Sequence, residues 1–124
     1  MKTVMVVDDD EGVLKAVGLA LRRSGCEVVL APSGEDCLRT LRNGFKGVIL
    51  MDIMMPGLSG WQTIRAMVTE GLIEGVLICM LTAKSSPGSE GQGMEEFVFD
   101  YLAKPFENSA LRACVDNAAT FLEA

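Results

Sequence analysis

Residues 47–60 read GVILMDIMMPGLSG, in which a continuous apolar run ends at a single carboxylate, Asp52. Such a run is typical of a strand that is buried on both faces of a parallel sheet. Pro56 and Gly57 disfavour both strand and helix, so the sequence predicts a turn soon after Asp52. Open α/β sheets bind ligands at the carboxyl ends of such strands. Taken alone, Asp52 is equally consistent with a ligand-binding carboxylate and with a residue that caps a helix or a turn.

The rest of the chain alternates short apolar strands with amphipathic helices. Further strands are predicted over residues 4–7, 26–30, 75–81 and 97–102. Helices are predicted over residues 34–42 and 61–70, in the segment before Gly25, and from Ser85 and Ser109 onward. This alternation predicts an α/β fold, a doubly wound five-stranded parallel sheet in the flavodoxin-like strand order 2-1-3-4-5 with five helices.

Composition limits the classes of function that the chain can serve. The chain has 124 residues, 49% of them hydrophobic, and a net charge of −6, so it offers no basic surface for nucleic acid. Only two residues follow the last predicted helix, and we expect a single domain over residues 1–124 with no attached output domain. No leader or membrane span is visible after Met1. There is no histidine, and the four cysteines lack metal-ligand spacing, which predicts reduced thiols in a cytoplasmic protein.

Acidic residues are predicted to gather at one edge of this sheet. Strand order 2-1-3-4-5 places the first and third strands side by side, so Asp8 and Asp9 would meet Asp52 there. Two carboxylates about 4 Å apart repel by roughly 4 kcal/mol at an effective dielectric constant near 20. Lys104 would supply one positive charge, and Mg²⁺, with Mn²⁺ as an alternative, would supply two more. Such a site would activate Asp52 toward a phosphoryl group, with the Thr82 hydroxyl binding one phosphoryl oxygen.

The order and spacing of these residues resemble those of the receiver domains of two-component response regulators, the group that includes chemotaxis protein Y. The resemblance covers nearly the whole chain. The motifs that carry it are Asp8-Asp9 after the first strand, Asp52 in Asp-x-x-Met-Pro-x-x-x-Gly, Thr82-Ala83, and Lys104-Pro105 after Tyr101.

The resemblance assigns a role to each residue of the acidic edge. It implies that Asp52 accepts a phosphoryl group from the phosphohistidine of a histidine kinase. It implies that Mg²⁺ binds Asp8, Asp9, Asp52 and the backbone carbonyl of Met54. It also implies that the bond from Lys104 to the following proline is cis.

The resemblance also implies how the signal is read out. Thr82 and Lys104 would contact the phosphoryl group, and Tyr101 would be the switch aromatic that turns inward when Thr82 moves. The chain would catalyse only its own phosphorylation and dephosphorylation and would not otherwise be an enzyme. Its partners would be a sensor histidine kinase and either a downstream protein or a histidine phosphotransfer protein, with no contact to nucleic acid or membrane. We expect a stand-alone signalling or phosphorelay protein that is a monomer or a phosphorylation-dependent dimer.

The predicted fourth helix departs from the family pattern. Phe97-Val98 stands where the family has a Gly-Ala pair, and Gly88, Gly91 and Gly93 lie just before it. Each glycine costs a helix roughly 0.8–1 kcal/mol relative to alanine. We hypothesise that this helix is marginal until phosphorylation or a partner orders it. Strong hydrogen-exchange protection of residues 85–96 in the unmodified protein would refute this.

Other interpretations of these residues remain open at this point. A dehalogenase-type phosphatase needs a second acid two residues after the nucleophile, where this chain has Met54, and a nucleotide- or flavin-binding module needs a glycine-rich loop where this chain has acids. A degenerate receiver that serves only as a docking module would lack one of the key residues. Thr82 and Tyr101 are also consistent with plain strand positions, the latter because Phe97, Phe99 and Tyr101 alternate as on one face of an edge strand.

Overall fold

Every strand predicted from the sequence forms, and the five strands pair in parallel in the order β2-β1-β3-β4-β5. The structure is a computed structural model that describes residues 2–83 and 93–123. For most strand ends, the observed boundary lies one residue away from the predicted boundary. The strands are β1 (Thr3–Val7), β2 (Glu27–Ala31), β3 (Gly47–Asp52), β4 (Val76–Thr82) and β5 (Val98–Ala103).

Four α-helices lie in the part of the chain that the structure describes, one fewer than the five predicted. Most of the predicted fourth helix falls on residues 84–92, outside the described residues, so the hypothesis about its order stays a prediction. None of the described helices is both long and apolar enough to span a bilayer. The helices are α1 (Glu11–Arg23), α2 (Gly34–Arg42), α3 (Gly60–Thr69) and α4 (Asn108–Glu123), and a 3₁₀ turn (Glu95–Phe97) precedes β5.

Polar side chains fix where three of these helices begin. Asp10 accepts hydrogen bonds from the first backbone N–H groups of α1, and Ser33 does the same for α2. Ser59 and Gln62 form a reciprocal capping box at the start of α3. Each such cap contributes about 1 kcal/mol to stability. The capping box explains why α3 begins at Gly60, one residue earlier than predicted.

The sheet separates two apolar layers, as the continuous apolar strands predict. Along β1, Met5 and Val7 face the layer that α2 and α3 cover, while Val4 and Val6 face the layer that α1 and α4 cover. All four side chains are fully buried. Burial on both faces leaves the ends of the central strands to present polar groups, and Asp52 stands at one carboxyl end.

A register shift in β5 corrects one interpretation of the sequence. The pairing of β4 with β5 skips Phe99, because Cys79 pairs with Asp100 where the preceding pair would place Phe99. Phe99 therefore packs on the α1–α4 side of the sheet, whereas Phe97 and Tyr101 pack on the α2–α3 side. The interpretation that these three aromatic residues share one face is wrong, because a bulge breaks the period of two.

Candidate functional site

Three carboxylates meet at the carboxyl edge of β1 and β3, as the strand order predicts. Asp8, Asp9 and Asp52 each offer an oxygen atom, and these atoms lie within 4.8 Å of one another. Asp8 is fully buried and Asp52 is 8% exposed, whereas Asp9 faces solvent. The site is therefore a notch with two buried acids and one acid at its rim.

Backbone pairing holds the two buried acids side by side. Val7 on β1 pairs with Met51 on β3, so the next residue of each strand is an aspartate at the same level of the sheet. One oxygen of Asp8, Oδ1, accepts a hydrogen bond of 3.0 Å from the backbone N–H of Asp10. That contact orients Asp8 so that its second oxygen faces into the notch.

Lys104 is the cation that the structure brings to this notch. Its Nζ atom lies 2.8 Å from Asp8 Oδ2 and 3.4 Å from Asp52 Oδ1. Its backbone N–H donates a hydrogen bond of 2.7 Å to the carbonyl of Thr82, and the peptide bond to Pro105 is cis, as the resemblance implies. The hydrogen bond to Thr82 holds the end of β5 beside the end of β4. The Lys104 ammonium group reaches past β4 and contacts Asp8, which follows β1, and Asp52, which ends β3.

Burial and the neighbouring acids raise the pKa of Asp52. Burial is the largest cause, the negative charge of Asp8 adds to it, and Lys104 opposes both, with the result that the pKa of Asp52 rises to about 6. For Lys104, burial acts to lower the pKa, but the hydrogen bond to Asp8 and the charges of both acids outweigh it and raise that pKa. Lys104 therefore stays protonated, and the ionised form of Asp52 is disfavoured relative to an aspartate in water.

The donor set fits a hard divalent cation. Three carboxylates face one lysine, so most of their negative charge is not offset within the described residues. Carboxylate oxygens are the ligands that Mg²⁺ prefers, and Mg²⁺ retains several waters. When bound, such an ion neutralises charge on the acids and on a phosphoryl group beside them. Met54 follows Asp52 by two residues with its side chain 68% exposed, and the ligand role of its carbonyl stays a prediction.

The two residues predicted to read out the signal lie on neighbouring strands. Thr82 ends β4 and is 6% exposed. Tyr101 lies on β5, is half-buried, and contacts Trp61 with ring centroids 6.5 Å apart. Trp61 lies in the first turn of α3 and is buried. Its contact with Tyr101 carries no sequence signal, because it depends on how α3 docks against β5.

A comparison with protein families adds a second line of evidence. Residues 4–116 match the family model described as the response regulator receiver domain, which is most of the chain. The chain belongs to the response regulator receiver domain family. Receiver domains accept phosphoryl groups from histidine kinases and bind Mg²⁺ in an acidic pocket, and these properties are general to the family.

Solved and curated relatives agree with this assignment. The receiver domain superimposes with a TM-score of 0.94 on a CheY-like receiver domain protein from Methanospirillum hungatei, with 43% identity, over 98% of this chain and 97% of that one. It is 38% identical to the transcriptional regulatory protein PrrA of Mycobacterium tuberculosis, over 90% of this chain and 47% of PrrA. It is 30% identical to the protein PilG of Pseudomonas aeruginosa, over 90% of this chain and 83% of PilG. The receiver domain thus spans about half the length of the first of these curated relatives.

Proposed function

We propose that this receiver domain is a phosphoacceptor in which Asp52 takes a phosphoryl group from the phosphohistidine of a sensor histidine kinase. The observation that carries the proposal is the position of the Asp52 carboxylate, 3.4 Å from the Lys104 ammonium and within the cluster that it forms with Asp8 and Asp9. A lone capping aspartate would not need a half-buried lysine and two further acids around it. The roles of Asp52, Lys104, Asp8 and Asp9 are therefore proposed together.

The chemistry is a transfer between two nucleophiles. A bond forms between phosphorus and a carboxylate oxygen of Asp52, while the bond between phosphorus and the donor nitrogen breaks and that nitrogen keeps the electron pair. Asp52 attacks as the anion, so a pKa of about 6 leaves most of it reactive at pH 7. Lys104 and the Thr82 hydroxyl would bind the phosphoryl oxygens as negative charge collects on them. Asp8, Asp9 and the Met54 carbonyl would hold Mg²⁺, or Mn²⁺ in its place.

Labelling by a small phosphodonor tests the phosphoacceptor role. Incubation with acetyl phosphate and Mg²⁺ should add one phosphoryl group, seen as an intact mass increase, and EDTA should prevent it. Asp52→Asn should abolish the increase. Asp116→Asn is the matched control, because Asp116 is an exposed aspartate of α4 and should label like the wild type. Full labelling of Asp52→Asn would rule out the assignment.

We further propose that the output is a contact with another protein. The relatives named as transcriptional regulators are longer than this chain, and its own net charge of −6 disfavours direct contact with DNA phosphates. Phosphorylation would instead alter the surface near Tyr101 for a downstream protein or a histidine phosphotransfer protein, and the chain would turn over no other substrate. The four described cysteines are all free thiols, which supports a cytoplasmic location. A pull-down that compares beryllofluoride-loaded with free protein would identify the partner, and identical captures would contradict a phosphorylation-dependent contact.

A further inference from the structure

The side chain of Trp61 is buried with an unsatisfied donor. Only 4% of the residue is exposed, and its indole Nε1 atom has no hydrogen-bond partner within residues 2–83 and 93–123. An N–H group that is removed from water without an acceptor costs free energy, and such groups are rare in native structures. A state of the protein that offers this N–H an acceptor would therefore gain the free energy of one hydrogen bond.

The first turn of α3, which carries Trp61, packs against the end of β3, the strand that carries Asp52. The backbone N–H of Gly60 donates a hydrogen bond of 2.8 Å to the carbonyl of Ile53. A Cβ atom on Gly60 would lie only 2.6 Å from the carbonyl oxygen of Asp52, so the start of α3 packs directly on β3. The capping box described above fixes the same turn of α3. Trp61 therefore keeps its place relative to Asp52, and any new acceptor must move toward it.

Tyr101 is the neighbour that carries a suitable acceptor. Its ring centroid lies 6.5 Å from that of Trp61, and the two ring planes are inclined by 52°. Tyr101 is half-buried, whereas Trp61 belongs to the buried layer between the sheet and α2–α3. This separation is compatible with a hydrogen bond between the tyrosine hydroxyl oxygen and the indole N–H once the tyrosine ring turns.

We infer that Trp61 is a positioning residue for the switch, and that its indole N–H donates a hydrogen bond to the Tyr101 hydroxyl in the phosphorylated state. The inference rests on the proposed function, because it assigns a partner to the residue that responds when Asp52 is modified. Among the described residues the indole N–H has no acceptor, and the active state would supply one. One net hydrogen bond changes an equilibrium constant by about two- to tenfold. Trp61 thus favours the active state by that factor without touching the phosphoryl group.

A single spectroscopic signal reports on this bond. The chain contains one tryptophan, so one indole N–H resonance appears in a ¹⁵N-labelled sample. On addition of Mg²⁺ and beryllofluoride, that resonance should shift downfield and exchange more slowly with solvent in the wild type. Tyr101→Phe keeps the ring and removes the hydroxyl, so it should load beryllofluoride but show neither change. Phe121→Leu alters an aromatic residue on the opposite layer and is the matched control that should behave like the wild type.

Affinity measurements complete the test through a double-mutant cycle. Trp61→Phe should weaken beryllofluoride binding about two- to tenfold, and Tyr101→Phe should weaken it to a similar extent. The double variant should be no weaker than either single variant, because each one alone removes the same bond. Additive losses, or an equal indole shift in Tyr101→Phe, would overturn the inference.

The readouts separate failure of the inference from failure of the proposed function. Fluorine NMR of bound beryllofluoride reports loading of Asp52 independently of the indole signal. Loading without an indole change would refute the role of Trp61 and leave the phosphoacceptor role intact. Absence of loading in the wild type would overturn both.

Discussion

Replacement of Asp52 by asparagine should make the metal-free receiver domain more stable. Asparagine keeps the shape of the side chain and removes a charge that the notch tolerates poorly. Burial and the charge of Asp8 raise the pKa of Asp52 from 3.8 to about 6, and a pKa difference of one corresponds to about 1.36 kcal/mol. The ionised carboxylate therefore lowers the free energy of unfolding by about 3 kcal/mol at pH 7. We expect Asp52→Asn to recover about 1–3 kcal/mol of this, because the asparagine amide does not reproduce every contact of a protonated carboxyl group.

The stability that Asp52→Asn gains over the wild type should depend on pH. Because the pKa of Asp52 is higher in the folded state, its contribution to stability is full below the unfolded pKa near 4 and is lost as pH rises through about 6. Asp52→Asn and the wild type should therefore be similar below about pH 4 and diverge above it. Mg²⁺ should act in the opposite sense, since an ion that binds the wild type stabilises it, by about 2.7 kcal/mol at a hundredfold excess over Kd.

Urea unfolding followed by circular dichroism measures the difference in free energy of unfolding between Asp52→Asn and the wild type. Wild type, Asp52→Asn and the exposed control Asp116→Asn would be compared at acid and neutral pH, each with EDTA and with MgCl₂. The control loses only an exposed ion pair with Lys2, so its stability should stay within about 1 kcal/mol of the wild type in all conditions. The reasoning would be refuted if Asp52→Asn were less stable than the wild type at neutral pH in EDTA, or if its advantage were the same at acid pH.

Three further perturbations test other parts of the structure. Lys104→Ala leaves the buried Asp8 without its ion pair and should lower the free energy of unfolding by roughly 3–5 kcal/mol in EDTA, whereas calorimetry should show that Mg²⁺ still binds; an unchanged stability would contradict the pairing. Gly60→Ala places a Cβ atom 2.6 Å from a backbone carbonyl of β3 and should destabilise the fold by about 1–3 kcal/mol. The control Gly18→Ala, inside α1, places its Cβ atom 3.3 Å from the flexible Leu30 side chain and should change stability less in the same urea assay. Burial raises the pKa of the Cys37 thiol to about 12, so iodoacetamide should modify it only after unfolding, and rapid labelling of the native protein would contradict its burial.

The fold was predictable because its signals are local and repeated. The apolar run of β3, the end of α1 at Gly25 and the cap at Ser33 each specify an element without knowledge of the rest of the chain. Once five strands alternate with helices, the parallel sheet and the meeting of Asp8 with Asp52 follow from topology. The acidic notch could therefore be predicted although its residues are far apart in the sequence.

Features that depend on tertiary packing could not be predicted in the same way. The bulge that moves Phe99 to the opposite layer arises from the pairing of β5 with β4, which no pattern within β5 records. The contact between Trp61 and Tyr101 depends on how α3 lies against the sheet, and so does the burial of an indole N–H that finds no acceptor in residues 2–83 and 93–123. The raised pKa of Asp52 likewise results mainly from burial, whereas the sequence shows only that Asp52 ends a strand.

The central claim is that folding gathers Asp8, Asp9 and Lys104 around one phosphoacceptor carboxylate, that of Asp52. A crystal structure of the protein grown with Mg²⁺ and beryllofluoride tests it most directly. We expect beryllium bonded to a carboxylate oxygen of Asp52, the Lys104 ammonium on a fluorine atom, and a magnesium ion held by the three acids. Beryllofluoride bound to another side chain, or a magnesium ion absent from the acid cluster while Asp52 is free, would contradict the account.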